Sequence, residues 1–196
     1  MPRVDILLPT YNGADFVEAQ IDSILGQTHI NIRLLIRDDQ SQDHTVAVIK
    51  KYVDRDSRVI LVTEPETNLG LVKSIEYLLN VSEAPFIMFS DQDDVWFPDK
   101  ITQFLNQTLN VNQSTPMLIH SDCFVTDQNL KVLRRFLGAK PLKYGLKNSL
   151  FHFYVQGSSM MINHKLKEES LPFPDDLYLH DRYLHIVSEI KGMTNQ

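Results

Sequence analysis

Three carboxylates fall within four residues, Asp91, Asp93 and Asp94, in the run Ser90-Asp91-Gln92-Asp93-Asp94-Val95-Trp96 that follows the apolar stretch Pro85 to Phe89. Side chains held that close repel one another unless something positive is bound. Hard oxygen ligands at a turn suit Mg2+ or Mn2+, which keep several waters and take further ligands from substrate phosphates. The same acids also read as a solvated turn capping the helix that begins near Pro98. Their place at the end of an apolar run favours the metal. Trp96 reads as a packing residue that shapes the turn.

Other polar clusters follow other apolar runs. Asp38 and Asp39, with Ser41 and Asp43, come after Ile32 to Ile36. A carboxylate there can accept from a base N–H or from ribose hydroxyls, while Ser41 or Asp43 caps the helix through Val46. Tyr11-Asn12-Gly13 follows Val4 to Leu8, where an aromatic ring can stack on a base and glycine allows a sharp turn. Asn68-Leu69-Gly70 is similar, and Lys73, one turn further along, is either a counter-charge for a diphosphate or an ordinary solvated lysine. His180-Asp181 opens the last helix. Asp181 reads as a helix-start residue or as a general base, with His180 orienting it or touching substrate. His185 faces elsewhere on that helix and is expected at the surface. Cys123 lies in the strand-like stretch Met117 to Val125 and reads as a packed thiol rather than a nucleophile.

These residues need a scaffold that brings strand ends together. Short apolar runs (Val4 to Leu8, Ile32 to Ile36, Val59 to Val62, Pro85 to Phe89) alternate with helical spacings. The helical sets are Val17, Ile21, Ile24, Leu25; Val46, Ile49, Val53; Leu71, Ile75, Leu78, Leu79; and Ile101, Leu105, Leu109. This pattern predicts βαβ units, hence an α/β fold with a mostly parallel, Rossmann-like sheet and helices on both faces. Such sheets bind ligands beyond the carboxyl ends of their strands, where the polar clusters sit. Later strands are expected at Met117 to Val125 and Met160 to Asn163, and a helix at Leu179 to Ile190 with Leu184, Val187 and Ile190 on one face. Residues 134–153 fit neither period. A single domain is expected, with a nucleotide-binding half (1–110) and an acceptor half (111–196).

Composition narrows the classes. The 196 residues are 43% apolar and 22% charged, enough for a buried core. A net charge of -6 argues against general nucleic-acid binding. One cysteine excludes an intrachain disulfide and favours a reducing, cytoplasmic setting. The sequence carries neither G-x-x-x-x-G-K-[ST] nor a G-x-G-x-x-G after a strand, which counts against P-loop and dinucleotide enzymes. No signal peptide and no spanning apolar run are visible; peripheral association at the inner membrane face remains compatible.

Taken together, Leu8-Pro9-Thr10-Tyr11-Asn12-Gly13, Arg37-Asp38-Asp39-Gln40-Ser41, Asn68-Leu69-Gly70, Ser90 to Trp96, Gln156-Gly157-Ser158 and His180-Asp181 resemble family 2 glycosyltransferases of the GT-A fold. The resemblance runs nearly the length of the chain, in order, and its Asp-Gln-Asp-Asp-Val-Trp run is similar to that of a polysaccharide and O-antigen subgroup including rhamnosyltransferases. It implies that Thr10, Tyr11, Asn12 and Asp39, joined by Asp38, hold the nucleoside of a UDP- or dTDP-linked sugar, and the reading of the residues adds Asn68 and Lys73 to the donor side. Asp91 would contact ribose or sugar and, with Asp93, the Mg2+ or Mn2+. Asp181 would be the base of an inverting transfer to a saccharide or lipid-linked acceptor, with Gln156, Gly157 and His180 on the acceptor side. The sequence departs from the subgroup in placing Arg182-Tyr183 after His-Asp, and its acceptor half is short. A sugar nucleotidyltransferase and a non-catalytic nucleotide-sugar-binding fragment are the alternatives.

Overall fold

A computed structural model describes residues 1–109, 111–138, 145–152 and 154–195. The predicted alternation is present: β1 (Val4–Thr10), α1 (Val17–Leu25), β2 (Ile32–Asp38), α2 (Thr45–Val53), β3 (Val59–Leu61), α3 (Gly70–Val81), β4 (Phe86–Phe89) and α4 (Lys100–Thr108). Then follow β5 (Met117–His120), β6 (Phe124–Thr126), β7 (Val132–Arg135), α5 (Leu146–Phe151), a 3-10 turn (Gly157–Ser159), β8 (Met160–Asn163), α6 (His164–Ser170), α7 (His180–Lys191) and β9 (Met193–Asn195).

Seven strands form one sheet in the order β3-β2-β1-β4-β8-β5-β9, and β6 pairs with β7 apart from it. Every residue of β1 is buried, as a central parallel strand requires. Its side chains alternate: Val4, Ile6 and Leu8 join one core with Val17, Ile21, Ile49, Ile101 and Phe104. Leu7 joins the other, with Ile75, Leu78, Leu79, Leu166 and Leu184. β2 and β3 lie on one side of β1 and β4 on the other, all parallel, so the chain order reverses at β1. The loops after β1 and β4 therefore flank a switch-point crevice. β8 alone runs against its neighbours β4 and β5, which brings the turn entering β8 to the rim where the parallel strands end.

Several expectations need correction. Met117 to Val125 is not one strand. After His120 the chain turns as Ser121 N–H donates to the Ser159 carbonyl, and the Asp122 carboxylate accepts from Cys123 N–H and Leu137 N–H. Phe124 then enters the β6–β7 hairpin. The unassigned stretch holds β7 and α5, while residues 139–144 and 153 lie outside those described. β9 had no apolar signature; it pairs parallel to β5. Leu71, Val53, Leu109 and Ile190, expected on buried helix faces, are exposed, because each sits at a helix end where its face runs past the sheet. In α2, Thr45 and Ile49 are the buried pair.

One buried cation fixes the geometry of the rim. Arg37, at the end of β2, is 1% exposed. Its guanidinium donates to Asp39 Oδ1 (2.6 Å), Ser74 Oγ (2.8 Å) and the carbonyls of Pro65 (3.1 Å) and Thr67 (2.6 Å). It thereby ties the β2 loop, the approach to α3 and α3 itself to one point. Arg37→Met leaves the Asp39 carboxylate buried beside a non-polar group, and stability is expected to fall by on the order of 3 kcal/mol. Arg37→Lys keeps the charge but loses the planar fork, and should recover only part of that. Urea unfolding midpoints test both; a midpoint unchanged in Arg37→Met would contradict this role.

Candidate functional site

The β1 loop and the acid loop are clasped. Tyr11 N–H donates to Gln92 Oε1 (2.9 Å) and Gln92 Nε2 donates to the Tyr11 carbonyl (3.0 Å). A Cβ on Gly13 would stand 2.2 Å from Gln92 Oε1, so glycine is required for that amide to seat. Asn12 turns the chain at φ 47°, a left-handed value that asparagine tolerates. Its N–H donates to Ser41 Oγ and its side-chain oxygen accepts from Gln42 N–H. Asn12 thus braces two loops rather than facing the cavity.

The paired acids after β2 divide their work. Asp38, half-buried, ties the loop to β1: it accepts from Thr10 Oγ1 (2.9 Å), Ser41 N–H (2.8 Å) and Ser41 Oγ (2.6 Å). Asp39 lines the cavity, and besides Arg37 it accepts from Leu69 N–H (2.7 Å) and Gly70 N–H (2.9 Å) at the start of α3. Burial alone would raise its pKa, but the bonds from Leu69, Arg37 and Gly70 outweigh that and hold it below the usual carboxylate range. Asn68 Nδ2 donates to the Asp39 carbonyl (2.9 Å).

Between these loops lies a cavity of about 580 Å3, lined by Thr10, Tyr11, Asp39, Asn68, Leu71, Asp91 and Asp93 among others. That is ample for a nucleotide-sized ligand. Lys73 is not part of it. Its ammonium pairs with Glu76 (2.9 Å) and approaches Asp175 (3.8 Å), and Gly70, Leu71 and Ser74 form the cavity side of α3 instead. The exposed Leu71 makes sense there, as apolar wall.

The acid loop concentrates like charge. Burial first, then the charges of Asp94, Asp93 and Asp181, push Asp91 up to about 6, against a hydrogen bond from the Ser158 hydroxyl. Lys100, which sequence reasoning missed, answers part of that charge. Its ammonium donates to the Ser158 carbonyl (2.7 Å) and stands 4.0 Å from the centre of the Trp96 ring. Burial draws it down to about 8 although Asp94 and Asp91 oppose this. Its only sequence signal was a lysine one turn beyond an acid run. Trp96 is buried, as expected of a packing residue.

The later part of the chain meets the acid loop through the turn before β8. Gly157 N–H donates to Asp181 Oδ2 (3.2 Å), and Arg182 N–H donates to Oδ1 (2.7 Å). A Cβ on Gly157 would lie 3.0 Å from His180 Nε2. His180 is buried against Phe89, with ring centres 5.7 Å apart, and burial lowers its pKa despite Asp181. It is therefore neutral at pH 7. Gln156 Oε1 accepts from Cys123 Sγ (3.1 Å), and burial raises the thiol's pKa, consistent with a packed cysteine. His185 is not at the surface: it is 2% exposed, 3.2 Å from Ser149 Oγ, with its ring edge-on to Tyr154. The sequence left α5 and its surroundings unassigned, so the face that covers His185 could not be foreseen.

Among the described residues, no three His, Cys, Asp or Glu side chains are grouped to hold a metal ion by themselves. Asp91 and Asp93 nonetheless suit a divalent ion that draws its other ligands from phosphates and water, since their mutual repulsion is what a cation relieves. Asp91 ionises less readily folded than unfolded, so its contribution to stability is full below about pH 4 and is lost as pH rises through about 6. Asp91→Asn is expected to stabilise the protein at pH 7.5 by on the order of 2 kcal/mol, with the gain vanishing below about pH 4. Denaturant melts at both pH values measure this; equal stability at pH 7.5 would contradict it.

The Glycosyl transferase family 2 model matches residues 5–168. The Escherichia coli enzyme named UDP-Glc:alpha-D-GlcNAc-diphosphoundecaprenol beta-1,3-glucosyltransferase WfgD is 30% identical over 147 residues, which cover 74% of this chain and 55% of that protein. The mannosyltransferase PcManGT of Pyrobaculum calidifontis, solved with GDP-Man and Mn2+, has a TM-score of 0.74 at 17% identity, covering 99% of this chain and 54% of that one. A Staphylococcus aureus TarS fragment, TarS 1-349, solved with UDP-GlcNAc, has a TM-score of 0.69 at 20% identity, covering 96% of this chain and 53% of the fragment. The chain thus spans little more than half the length of these relatives, and the likeness in three dimensions identifies its architecture as the GT-A fold. With strand-end loops, crevice and sequence model in agreement, the chain belongs to glycosyl transferase family 2.

Proposed function

We propose that this chain carries the catalytic site of a metal-dependent, inverting glycosyltransferase that moves a hexosyl or rhamnosyl unit from a UDP- or dTDP-linked donor to a saccharide or lipid-linked acceptor hydroxyl. One observation carries this reading. Asp91 and Asp181, from opposite halves of the chain, are close enough for the charge of one to raise the pKa of the other. Neighbouring residues of a single turn also bond them, Ser158 to Asp91 and Gly157 to Asp181. An acid suited to a donor's phosphates and an acid suited to an acceptor hydroxyl thus meet at one rim.

The division of labour follows from the side chains. Tyr11 and Leu71 offer surfaces against which a base can lie, and Asp39 Oδ2, engaged by one N–H, keeps a lone pair for a base or ribose donor. Thr10, Asp38, Asn12 and Asn68 hold those loops in shape. Asp93 and Asp91 would hold Mg2+ or Mn2+, which when bound offsets diphosphate charge and improves the leaving group. Asp181 takes the acceptor proton, and the bonds from Gly157 N–H and Arg182 N–H keep its carboxylate aimed while leaving each oxygen a lone pair. Gly157 and Gln156 border the acceptor side, with neutral His180 packed behind them. The name of the Escherichia coli relative WfgD, which specifies a diphosphoundecaprenol-linked acceptor, supports a lipid carrier for the acceptor here.

Asp181→Asn is expected to lower kcat by about a thousandfold with donor affinity retained; unchanged turnover would remove it as the base. A thermal-shift panel of nucleotides and nucleotide sugars tests the donor and the metal together. UDP- or dTDP-sugars should raise Tm with Mn2+ present, and EDTA should abolish the shift. A shift indifferent to EDTA would contradict metal use, and pyrophosphate rather than nucleoside diphosphate as product would identify a nucleotidyltransferase.

A further inference from the structure

We propose that the β6–β7 hairpin is a docking surface for an anionic lipid bilayer, set beside the acceptor side of the rim. The inference rests on the glycosyltransferase reading only for its purpose, the delivery of a lipid-carried acceptor. The surface itself is argued from its own chemistry.

The hairpin stands apart from the main sheet, and all four residues of β7 are exposed. Pairing steps from Val125–Arg134 to Thr126–Val132, leaving Leu133 as the extra residue of a bulge. Leu133, Val132, Leu130 and Phe124 are between 43% and 62% exposed. Phe97, from the acid loop, is 65% exposed and meets Phe124 edge-on, with ring centres 6.1 Å apart. Phe97 and Phe124 thus form one exposed aromatic pair, and the three exposed aliphatic side chains belong to the same hairpin.

The charge on that hairpin has the opposite sign to the whole. The chain carries a net charge of -6, yet residues 124–137 hold Lys131, Arg134 and Arg135 against one acid, Asp127, whose carboxylate accepts from the turn N–H groups of Asn129 and Lys131. Arg135 lies over the Phe124 ring at 5.6 Å, and Arg134 donates to the Arg135 carbonyl (3.3 Å). Among the described residues, none of these three cations forms a salt bridge. Exposed apolar groups with unneutralised cations are the chemistry that binds an anionic lipid surface. A two-fold contact between copies through the same hairpin would bring like charges together, which disfavours it.

The position of the hairpin is fixed at its base. Phe136 N–H donates to the Cys123 carbonyl, Leu137 N–H donates to Asp122 Oδ1, and Cys123 Sγ donates to Gln156. A bilayer resting on Leu133 and Phe124 therefore adjoins the Gln156–Gly157 turn, where a lipid-linked acceptor hydroxyl would enter.

Vesicle flotation of the whole chain tests the proposal, using phosphatidylglycerol mixed with phosphatidylcholine against phosphatidylcholine alone. Binding is expected to the anionic vesicles only, and to weaken with salt. Arg134→Gln with Arg135→Gln should weaken it about thirtyfold. Val132→Ser with Leu133→Ser should weaken it comparably by a different route, and both variants should melt as the wild type does. Wild-type failure to float, or variants that float equally, would overturn the proposal. So would a concentration-dependent dimer in sedimentation that both variants dissolve. Donor thermal shifts on the same samples separate the two readings: vesicle binding without any donor shift would sink the glycosyltransferase assignment and leave the surface standing.

Discussion

A guanidinium sealed beneath a loop is the constraint on which this rim depends. Arg37 has no water to turn to, so its hydrogen bonds must come from the segments around it, and each bond fixes a segment. Asp39 is held in turn by Arg37 and by two backbone N–H groups of the α3 start. The Asp39 N–H donates to the Thr10 carbonyl (2.8 Å), extending the chain of dependence into the β1 loop. A buried ion pair of this kind adds little net stability over an apolar substitute, but it allows only one arrangement of the loops around it. Specific geometry is what a nucleotide crevice requires.

The acid loop works by the reverse principle. Its carboxylates are brought together against their own repulsion, and Asp91 registers it, raised first by burial and then by the charges of Asp94 and Asp93. The fold tolerates this through partial remedies: the Ser158 hydroxyl on one side and the Lys100 ammonium, itself steadied by the Trp96 ring, on the other. The remedies are incomplete, so a local deficit of positive charge persists at the mouth of the crevice. The proposed binding of a cation together with a diphosphate would draw on such a deficit.

The sequence disclosed the architecture because a parallel sheet leaves a strong periodic trace. Four apolar runs and four amphipathic helices in alternation admit few topologies, and polar clusters after β1, β2 and β4 had to share one rim. Individual roles were harder to read. Asp38 and Asp39 are neighbours of identical type, and only the backbone decides that one bonds Thr10 and Ser41 while the other lines the cavity. Lys73 lay at a suggestive helical spacing, but Glu76 competes for it locally. Lys100 carried no pattern of its own, because its partners, Ser158 and Asp94, are fixed by tertiary contact. His185 and β9 were illegible for a similar reason: what buries the one is α5 and Tyr154, and what recruits the other is the open edge of β5. The resemblance to family 2 enzymes supplied what spacing alone left open, namely the pairing of Asp181 with the acid loop.

The parallel strands β1 to β4 give the sheet two unlike ends, and the reversed β8 brings its entering turn to the carboxyl end. Every loop that carries chemistry opens at one of them. The opposite floor is closed by small bonds of its own: Asn31 to the Met1 carbonyl, His164 N–H to the Pro85 carbonyl, and Met193 N–H to the Pro116 carbonyl. That floor contributes no group to the crevice. Tethering the protein to a bead, an electrode or a fusion partner through the floor would leave the reactive end facing open solution, with its orientation set by the tether.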